Sequence, residues 1–187
     1  TALQREIILS QDRTDFVRIG TVTLTAYYER ELKNSLPTVA TEYSFADRQI
    51  HINSKAGNIT ITGVLDRIEL LNKVDMNVRI IDYKTGRARS RNEIEGKTAR
   101  ADADYKRQLI FYQLLTDIDR NFPYRVKETA LAFIDDDHRF TKEIFVISPD
   151  EVTQLTLLIE QVYQRMLDLD FHHIDNPQRP PCEYCHL

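Results

Sequence analysis

Apolar and polar residues alternate with a period of two through the middle of the chain. The segment "NITITGVLDRIELL" (residues 58–71) is rich in β-branched residues, and "VRIIDYK" follows it after the turn-forming "NKVDMN". This alternation is typical of strands that bury one face. We therefore predict a hairpin of two strands, at residues 59–71 and 77–84.

Upstream of this hairpin, apolar residues recur with helical spacing over residues 14–35, and Pro37 ends the pattern. The apolar positions of the predicted helix fall roughly on one broad face and are Phe16, Ile19, Val22, Leu24, Ala26, Tyr27 and Leu32. The next segment, "TVATEYSFADRQIHIN", predicts two short strands on either side of residues 46–48.

Downstream, residues 85–103 form a polar linker without an apolar period, and its length favours a functional role. "DYKRQLIFYQLLTDIDRNF" then predicts a helix with Asp104 as its N-cap. "RVKETALAFID" and "HRFTKEIFVI" predict two strands joined at "DDDH".

A last helix is predicted after Ser148 as N-cap, with Pro149 in its first turn. Its apolar face consists of Val152, Leu155, Leu158, Ile159, Val162 and Met166. Residues 171–187 have no regular pattern. The order helix, three or four strands, helix, strand pair, helix predicts an α/β layer fold with a central meander.

A length of 187 residues with 42% hydrophobic residues suits a single domain over residues 1–187. No apolar run approaches the roughly 20 residues that span a membrane, and the polar N-terminus does not resemble a secretory signal. The first residue is Thr1 rather than Met, and the chain starts in the middle of a sequence pattern. We therefore expect it to be a piece of a longer protein. The only two cysteines, Cys182 and Cys185, are a poor disulfide framework, which favours an intracellular, cytoplasmic protein.

Charged residues interrupt the apolar face of the central hairpin. Asp82 and Lys84 share a face with apolar residues of the second strand, and Asp66 does so on the first. Because both apolar sets must face one core, the three charged groups lie on the same side of the sheet. Burial of such charges is costly unless they are paired or bind a metal.

Two carboxylates suit a hard cation such as Mg²⁺, which polarises a phosphoryl oxygen and lowers the pKa of a bound water. A neighbouring lysine offsets developing negative charge. This set of groups is what phosphodiester hydrolysis requires. The alternative is a buried Asp–Lys pair that merely seals the edge of the sheet.

Three motifs, "GVLDRIE", "VRIIDYKTG" and "YKRQLIFYQLL", resemble the RecB-type nucleases of the PD-(D/E)XK superfamily over residues 14–187. The resemblance implies a restriction-endonuclease-like three-layer core, in which helices flank a central mixed sheet with a meander hairpin. It implies that Asp66 and Asp82 bind Mg²⁺ or Mn²⁺, that Lys84 is the catalytic lysine, and that Glu42 is a supporting acid.

The resemblance also implies that Gln108 and Tyr112 belong to the active site. They are four residues apart on one helix and can point to the same place. The alternative is that Tyr112 lies in the core and Gln108 on the surface. The family usually has a metal-binding histidine on a helix before the first strand, and none of the five histidines here fits that position.

Arg87, Arg89 and Arg91 follow the second motif without an intervening acid, and guanidinium groups suit phosphates. We predict that they bind DNA, the alternative being a solvated loop. Some RecB-type nucleases carry a 4Fe–4S cluster with three cysteines in a tail resembling "NPQRPPCEYC". Cys182 and Cys185 would then be half of such a site in the full-length protein, or otherwise a free or zinc-binding pair.

These observations predict a metal-dependent DNA nuclease domain. The resemblance places it as the exonuclease module of a helicase–nuclease of DNA recombination and repair, with the helicase motor in the same chain or complex. The alternatives are a catalytically silent DNA-binding or scaffold module of the same fold, and a structural zinc module built on the cysteine pair. A net charge of −4 gives no global signature of nucleic-acid binding, so any DNA contact must come from a local basic patch.

Overall fold

A computed structural model describes residues 10–99, 101–134 and 140–170 of the chain. Three predictions lie outside these residues: the turn at "DDDH", the tail at residues 171–187 and the cysteine pair Cys182 and Cys185. The single domain over residues 1–187 also stays a prediction.

Four α-helices and seven strands make up the described fold. In chain order they are α1 (Ser10–Tyr27), β1 (Thr38–Ser44), β2 (Ile50–Ser54), β3 (Gly57–Ile61), β4 (Val64–Asn72), β5 (Asn77–Lys84), α2 (Arg91–Ile94), α3 (Asp104–Ile118), β6 (Arg125–Phe133), β7 (Lys142–Phe145) and α4 (Pro149–Leu167). A π-helical turn, Tyr28–Leu32, continues α1.

Five strands form the main sheet in the order β1-β4-β5-β6-β7, and β2 and β3 form a separate two-stranded sheet. Within the main sheet β5 and β6 run parallel, and the other neighbours are antiparallel. The parallel pair is possible because α2 and α3 carry the chain from β5 back to the start of β6. The predicted α/β fold with a mixed sheet flanked by helices is confirmed.

The main core lies on the face of the sheet that α3 and α4 cover. Its fully buried members include Ile68, Ile80, Leu109, Leu115 and Phe133. The opposite face carries a smaller cluster built on Ile81, Ala130 and Ala132, with Tyr83 packed against it. Because β5 lies between β4 and β6, its residues 80–82 are buried, and the last two residues of the strand are half-buried.

The segment predicted as one strand at residues 58–71 is two strands in two sheets. Residues 62 and 63 separate β3 from β4, and a Cβ on Gly63 would lie 2.8 Å from Leu115 Cδ1. A larger residue here would therefore have to displace the buried Leu115 side chain of α3, and the alternation also changes phase at this point, between Ile61 and Val64. The hairpin itself is confirmed, with β4 as its first strand.

Helix α1 is confirmed as a helix, but most of its predicted apolar face is not buried. Phe16, Ile19, Val22 and Leu24 are each 45–56% exposed, and Tyr27 is the buried residue of the part of α1 whose burial is described. On α4 Leu155 is buried, and Val152 and Ile159 pack against the core. The rest of the face predicted for α4 is exposed: Leu158, Val162 and Met166.

The polar linker at residues 85–103 is not wholly irregular. It contains α2, which begins with a capping box between Ser90 and Glu93 and buries Ile94. The predicted N-cap of α3 is wrong by one residue, because Ala103 holds that position and makes no side-chain cap. Ser148 is confirmed as the N-cap of α4, where it forms a capping box with Glu151.

No helix within the described residues is long and apolar enough to cross a membrane.

Candidate active site

Asp82 is a buried carboxylate at the carboxyl end of β5, with only 3% of its surface exposed. Its Oδ1 accepts hydrogen bonds from Tyr112 Oη at 2.7 Å and from Gln108 Nε2 at 2.9 Å. Its Oδ2 lies 2.6 Å from Lys84 Nζ, but no hydrogen bond of normal geometry to Oδ2 forms within the described residues. One oxygen is thus fully engaged, whereas the other has only an ionic neighbour.

Lys84 lies on the same face, two residues further along β5, as the alternation of a strand requires. Its Nζ donates to Gln108 Oε1 at 2.7 Å and lies 4.9 Å from the centre of the Tyr105 ring. Its side chain is 17% exposed. The ammonium group is therefore held between a carboxylate, an amide oxygen and an aromatic face at the rim of the core.

Gln108 and Tyr112 lie one turn apart on α3 and both point at Asp82, as predicted. The Gln108 amide donates from Nε2 to Asp82 and to Tyr112 Oη, and it accepts from Lys84 at Oε1. This pattern fixes the orientation of the amide, since only the nitrogen can donate. Gln108 is half-buried, and its side chain contacts Asp82 and Lys84.

Tyr112 is 6% exposed, so it does lie in the core, but its hydroxyl is used by the site. Burial, followed by the hydrogen bond to Asp82 and the charges of Asp82 and Asp66, strongly raises the pKa of Tyr112. The hydroxyl therefore stays protonated and serves as a permanent hydrogen-bond donor to Asp82.

Asp66 lies near the start of β4, on the strand next to Asp82. The ladder of paired residues between β4 and β5 ends at Arg67 opposite Ile81. Beyond that point the Asp66 side chain takes over, because its Oδ2 accepts from the backbone N–H of Tyr83 at 2.8 Å. Continuation of the same register puts Asp66 opposite Asp82, so both carboxylates lie on one face of the sheet.

Glu42 lies on β1 between Thr41 and Tyr43, the partners of Arg67 and Leu65, and is thus opposite Asp66. Its φ of 49° is unusual for a residue with a side chain and costs strain energy. The side chain is exposed. No group of three or more His, Cys, Asp or Glu suitable for a metal occurs among the described residues, so Glu42 does not complete such a group with the two aspartates.

Asp66 and Asp82 fit the needs of a hard divalent cation. Mg²⁺ commonly binds to one or two carboxylates and takes its remaining oxygens from water and substrate phosphates. The Oδ2 atom of Asp82 is buried and accepts no hydrogen bond from a described residue, and the Lys84 ammonium at 2.6 Å already shows that this oxygen attracts a cation. The oxygen-only character of this pair favours Mg²⁺ or Mn²⁺ over softer metals.

The three loop arginines have different surroundings. Arg87 is highly exposed and pairs with Glu93 at 3.1 Å. Arg91 stacks on Phe145, donates to Ile144 O at 3.0 Å and has two glutamates within 4 Å. Arg89 lies over the Tyr105 ring at 4.4 Å and forms no ion pair with a described residue. Arg89 and Lys84 thus contact the same aromatic ring.

Three residues of the site region were not singled out from the sequence. Tyr105 contacts both Lys84 and Arg89, whereas Tyr83 and Arg67 bond to each other on the opposite face of the sheet. Tyr83 and Arg67 each follow a site aspartate in the motifs, and Tyr105 precedes Gln108 by three residues. Helical spacing could have placed Tyr105 near the site, but no local pattern pairs Arg67 with Tyr83.

His51, the one histidine within the described residues, does not lie at this site. Its Nδ1 is 3.0 Å from Thr60 Oγ1 on the neighbouring strand of the two-stranded sheet. It therefore does not supply the missing metal-binding histidine.

Two carboxylates, a lysine and two supporting side chains of α3 thus meet at one end of a mixed sheet. The family model of the PD-(D/E)XK nuclease superfamily matches residues 8–187, and the chain belongs to this superfamily. No curated protein matches the chain. A solved structure described as "Crystal structure of SSO0001" is 18% identical, with a TM-score of 0.46. That similarity covers 90% of this chain, which spans 66% of the length of the other.

Proposed function

We propose that the chain is a Mg²⁺-dependent deoxyribonuclease domain that hydrolyses phosphodiester bonds at Asp66, Asp82 and Lys84. The observation that carries the proposal is the buried Asp82 carboxylate, with one oxygen fixed by α3 and the other facing Lys84. A pair that only sealed a sheet edge would not require Gln108 and Tyr112 to orient the carboxylate from a second element.

The residues of this chain have separate tasks in the proposed reaction. Tyr112 and Gln108 hold Asp82 in one orientation, so that Oδ2 is presented to the site. Lys84 places a positive charge where negative charge develops on the phosphoryl oxygens. The bond to Gln108 limits the freedom of the Lys84 ammonium group, so less entropy is lost when it binds a phosphate oxygen.

Asp66 and Asp82 would hold the divalent ion, which when bound supplies a Lewis acid and lowers the pKa of a coordinated water. The Tyr83 N–H holds Asp66 Oδ2, which leaves the second oxygen of Asp66 for the ion. Proximity of two carboxylates at one site also favours a cation electrostatically.

Arg89 is the loop arginine that we propose for contact with the DNA backbone. It contacts the same Tyr105 ring as Lys84, and its guanidinium group forms no ion pair with a described residue. Arg87 adds a second exposed cation at the same loop, held by Glu93. Arg91 is the least suited of the three, because Phe145, Ile144 and two glutamates already surround it.

The finer assignment rests on the motif resemblance alone. We propose that the chain is a RecB-type exonuclease module of a cytoplasmic helicase–nuclease of recombination and repair. The 4Fe–4S cluster proposed for the full-length protein falls on Cys182 and Cys185, outside the described residues.

Asp82→Asn tests the proposed function. We expect Mg²⁺-dependent cleavage of DNA oligonucleotides by the wild-type chain and a loss on the order of at least 10²-fold in Asp82→Asn, as for other single electrostatic groups. The asparagine retains an oxygen that accepts from Tyr112, so the fold should persist. Single-turnover cleavage of single- and double-stranded DNA and of RNA, with Mg²⁺ or with EDTA, measures this and the substrate class.

Asp75→Asn is the matched control, because Asp75 lies in the exposed turn of the same hairpin and bonds only to Asn72 in the structure. It should cleave like the wild type. A folded Asp82→Asn chain that cleaves normally would remove Asp82 from the metal site. A wild-type chain that binds DNA without cutting it would support the silent DNA-binding module instead.

A further inference from the structure

On the face of the sheet opposite the active site, Arg67 is nearly completely buried. Only 5% of its surface is exposed, and the proposed nuclease chemistry does not use it. A buried guanidinium group is costly unless its charge is balanced and its donors are bonded. The partners of Arg67 therefore indicate why this strand carries an arginine.

The donors of Arg67 reach residues on three segments of the chain. Nε donates to Thr38 Oγ1 at 2.8 Å on β1, and Nη2 donates to Ser35 Oγ at 2.7 Å before β1. Nη1 donates to the hydroxyl of Tyr83 at 3.1 Å on β5. The planar fork of an arginine can reach all of these at once, whereas a lysine cannot.

The charge of Arg67 is balanced by a buried network on the same face. Glu69 Oε1 lies 3.0 Å from Arg67 Nη2, and Glu69 is 1% exposed. Glu69 also faces Arg79 at 3.4 Å, and Arg79 pairs with Glu128 at 2.5 Å. Two positive and two negative groups thus offset one another, so the charge of Arg67 needs no help from Tyr83.

The contact with Tyr83 must therefore have another reason, and the register of the strands supplies one. The paired ladder between β4 and β5 ends at Arg67 and Ile81, and the two site aspartates are the next pair of residues along the two strands. Beyond it, two side chains of β4 hold Tyr83: Asp66 through the backbone N–H and Arg67 through the hydroxyl. Because successive side chains alternate, these two bonds lie on opposite faces of the sheet.

Tyr83 stands between Asp82 and Lys84, so its position sets theirs. A third element adds to the restraint, since the buried ring of Tyr27 at the end of α1 packs edge-on against Tyr83, with 5.9 Å between ring centres. Burial, followed by the charge and the hydroxyl of the nearby Tyr83, raises the pKa of Tyr27. The end of β5 is thus fixed on its β4 side by side chains rather than by a ladder.

We propose that Arg67 and Tyr83 are positioning residues of the active site, which hold β5 from the opposite face so that Asp66 and Asp82 keep the spacing that binds the divalent ion. This inference rests on the proposed function for the ion. The restraint of β5 by Arg67 and Tyr83 does not depend on the nuclease function, because it can be measured in the chain without metal or DNA.

Tyr83→Phe is the principal test, because it removes only the hydroxyl and keeps the ring on Tyr27. We expect the backbone amide of residue 83 to exchange with solvent about 5- to 10-fold faster, the ratio that loss of one buried hydrogen bond gives. Arg67→Lys keeps a positive charge for Glu69, loses the fork, and should act in the same direction. Amide hydrogen exchange by NMR measures both without metal or DNA.

The second readout is the Mg²⁺ concentration that gives half of the maximal single-turnover cleavage rate. Loss of a group that orients a metal ligand typically costs 10- to 100-fold in metal affinity or activity. We expect the half-saturating concentration to rise about 10-fold in Tyr83→Phe, with the rate at saturating Mg²⁺ close to that of the wild type. A purely structural role would lower the melting temperature without this separation of affinity from rate.

Tyr43→Phe is the matched control, because Tyr43 also lies half-buried on the sheet but packs on Phe45 and Phe122. It should change neither the exchange at residue 83 nor the Mg²⁺ requirement. Equal exchange at residue 83 in the wild type, Tyr83→Phe and Arg67→Lys would overturn the proposal. Faster exchange with an unchanged Mg²⁺ requirement would also overturn it, whereas a wild-type chain without cleavage would refute only the nuclease function and its ion.

Discussion

Gln108 is the residue on which the geometry of the site depends most directly. Its amide bonds to Asp82, Lys84 and Tyr112, so one side chain orients the carboxylate, the ammonium group and the hydroxyl. A glutamate of nearly the same shape could accept from Lys84 but could not donate to Asp82. It would also add a negative charge beside two carboxylates.

We predict that Gln108→Glu lowers the cleavage rate at saturating Mg²⁺ by about 10- to 100-fold, as for other partners of a metal ligand. The rate must be measured at saturating metal, because the added carboxylate could raise the affinity for Mg²⁺. Gln113→Glu is the control on the same helix, since Gln113 also donates to a carboxylate, that of Asp117, but outside the site. A Gln108→Glu chain that matches Gln113→Glu in rate would contradict this role.

At the scale of elements, the loop between β5 and α3 combines a structural and an exposed part. Short helix α2 buries Ile94 and starts from the Ser90–Glu93 capping box, which anchors the loop to the core. Arg91, in that helix, reaches β7 through Ile144 and Phe145. Arg89, before the helix, lies over the ring of Tyr105 and forms no ion pair with a described residue.

This difference predicts that Arg89 contributes to DNA binding and that Arg91 contributes to stability, although they are only two residues apart. Arg89→Ala should weaken DNA binding and reduce the slope of log K against log[salt] by about 0.9 on duplex DNA or about 0.7 on single strands. Arg91→Ala should leave that slope unchanged and lower the melting temperature, since it loses packing and a hydrogen bond. Binding titrations at several salt concentrations, with Ca²⁺ in place of Mg²⁺ to prevent cleavage, distinguish them. The reverse assignment of the two effects would show that Arg91 contacts the DNA.

At the scale of the whole molecule, the site is built from residues on several elements of the fold. The two aspartates lie on β4 and β5, the orienting groups on α3, and the bond of Tyr83 to Arg67 ties the opposite face to the segment before β1. Two carboxylates at one site repel each other in the free chain, and a divalent ion relieves this repulsion. Ion binding should therefore stabilise the whole fold.

We predict that Mg²⁺ at ten times its dissociation constant stabilises the chain by about 1.4 kcal/mol, or roughly 3–5 °C in melting temperature for a domain of this size. Thermal melts with Mg²⁺ and with EDTA measure this rise in melting temperature, which EDTA should abolish. Asp82→Asn should reduce it strongly, because it removes one of the two charges. An equal shift in Asp82→Asn and in the wild type would mean that Mg²⁺ binds elsewhere.

Local patterns in the sequence were sufficient for much of the fold and for the core of the site. Alternation with a period of two placed Asp82 and Lys84 on one face of β5, and a spacing of four put Gln108 and Tyr112 on one face of α3. Ser148 and Pro149 marked the start of α4. Each of these features depends on neighbours within a few residues, which a sequence displays directly.

Tertiary structure alone decided the features that join distant residues. The alternation changes phase between Ile61 and Val64, but only the packing of Gly63 under Leu115 shows that this change separates β3 from β4. The apolar pattern of α1 predicted a helix, but it did not predict that most of the apolar face is exposed in the described fold. Periodicity shows which residues share a face of a helix, and it does not show what that face packs against. The bond from Arg67 to Tyr83 has the same origin: the register of two strands ends the β4–β5 ladder at Arg67 and Ile81, so that side chains of β4 hold this edge of β5, whereas its ladder with β6 continues to Lys84.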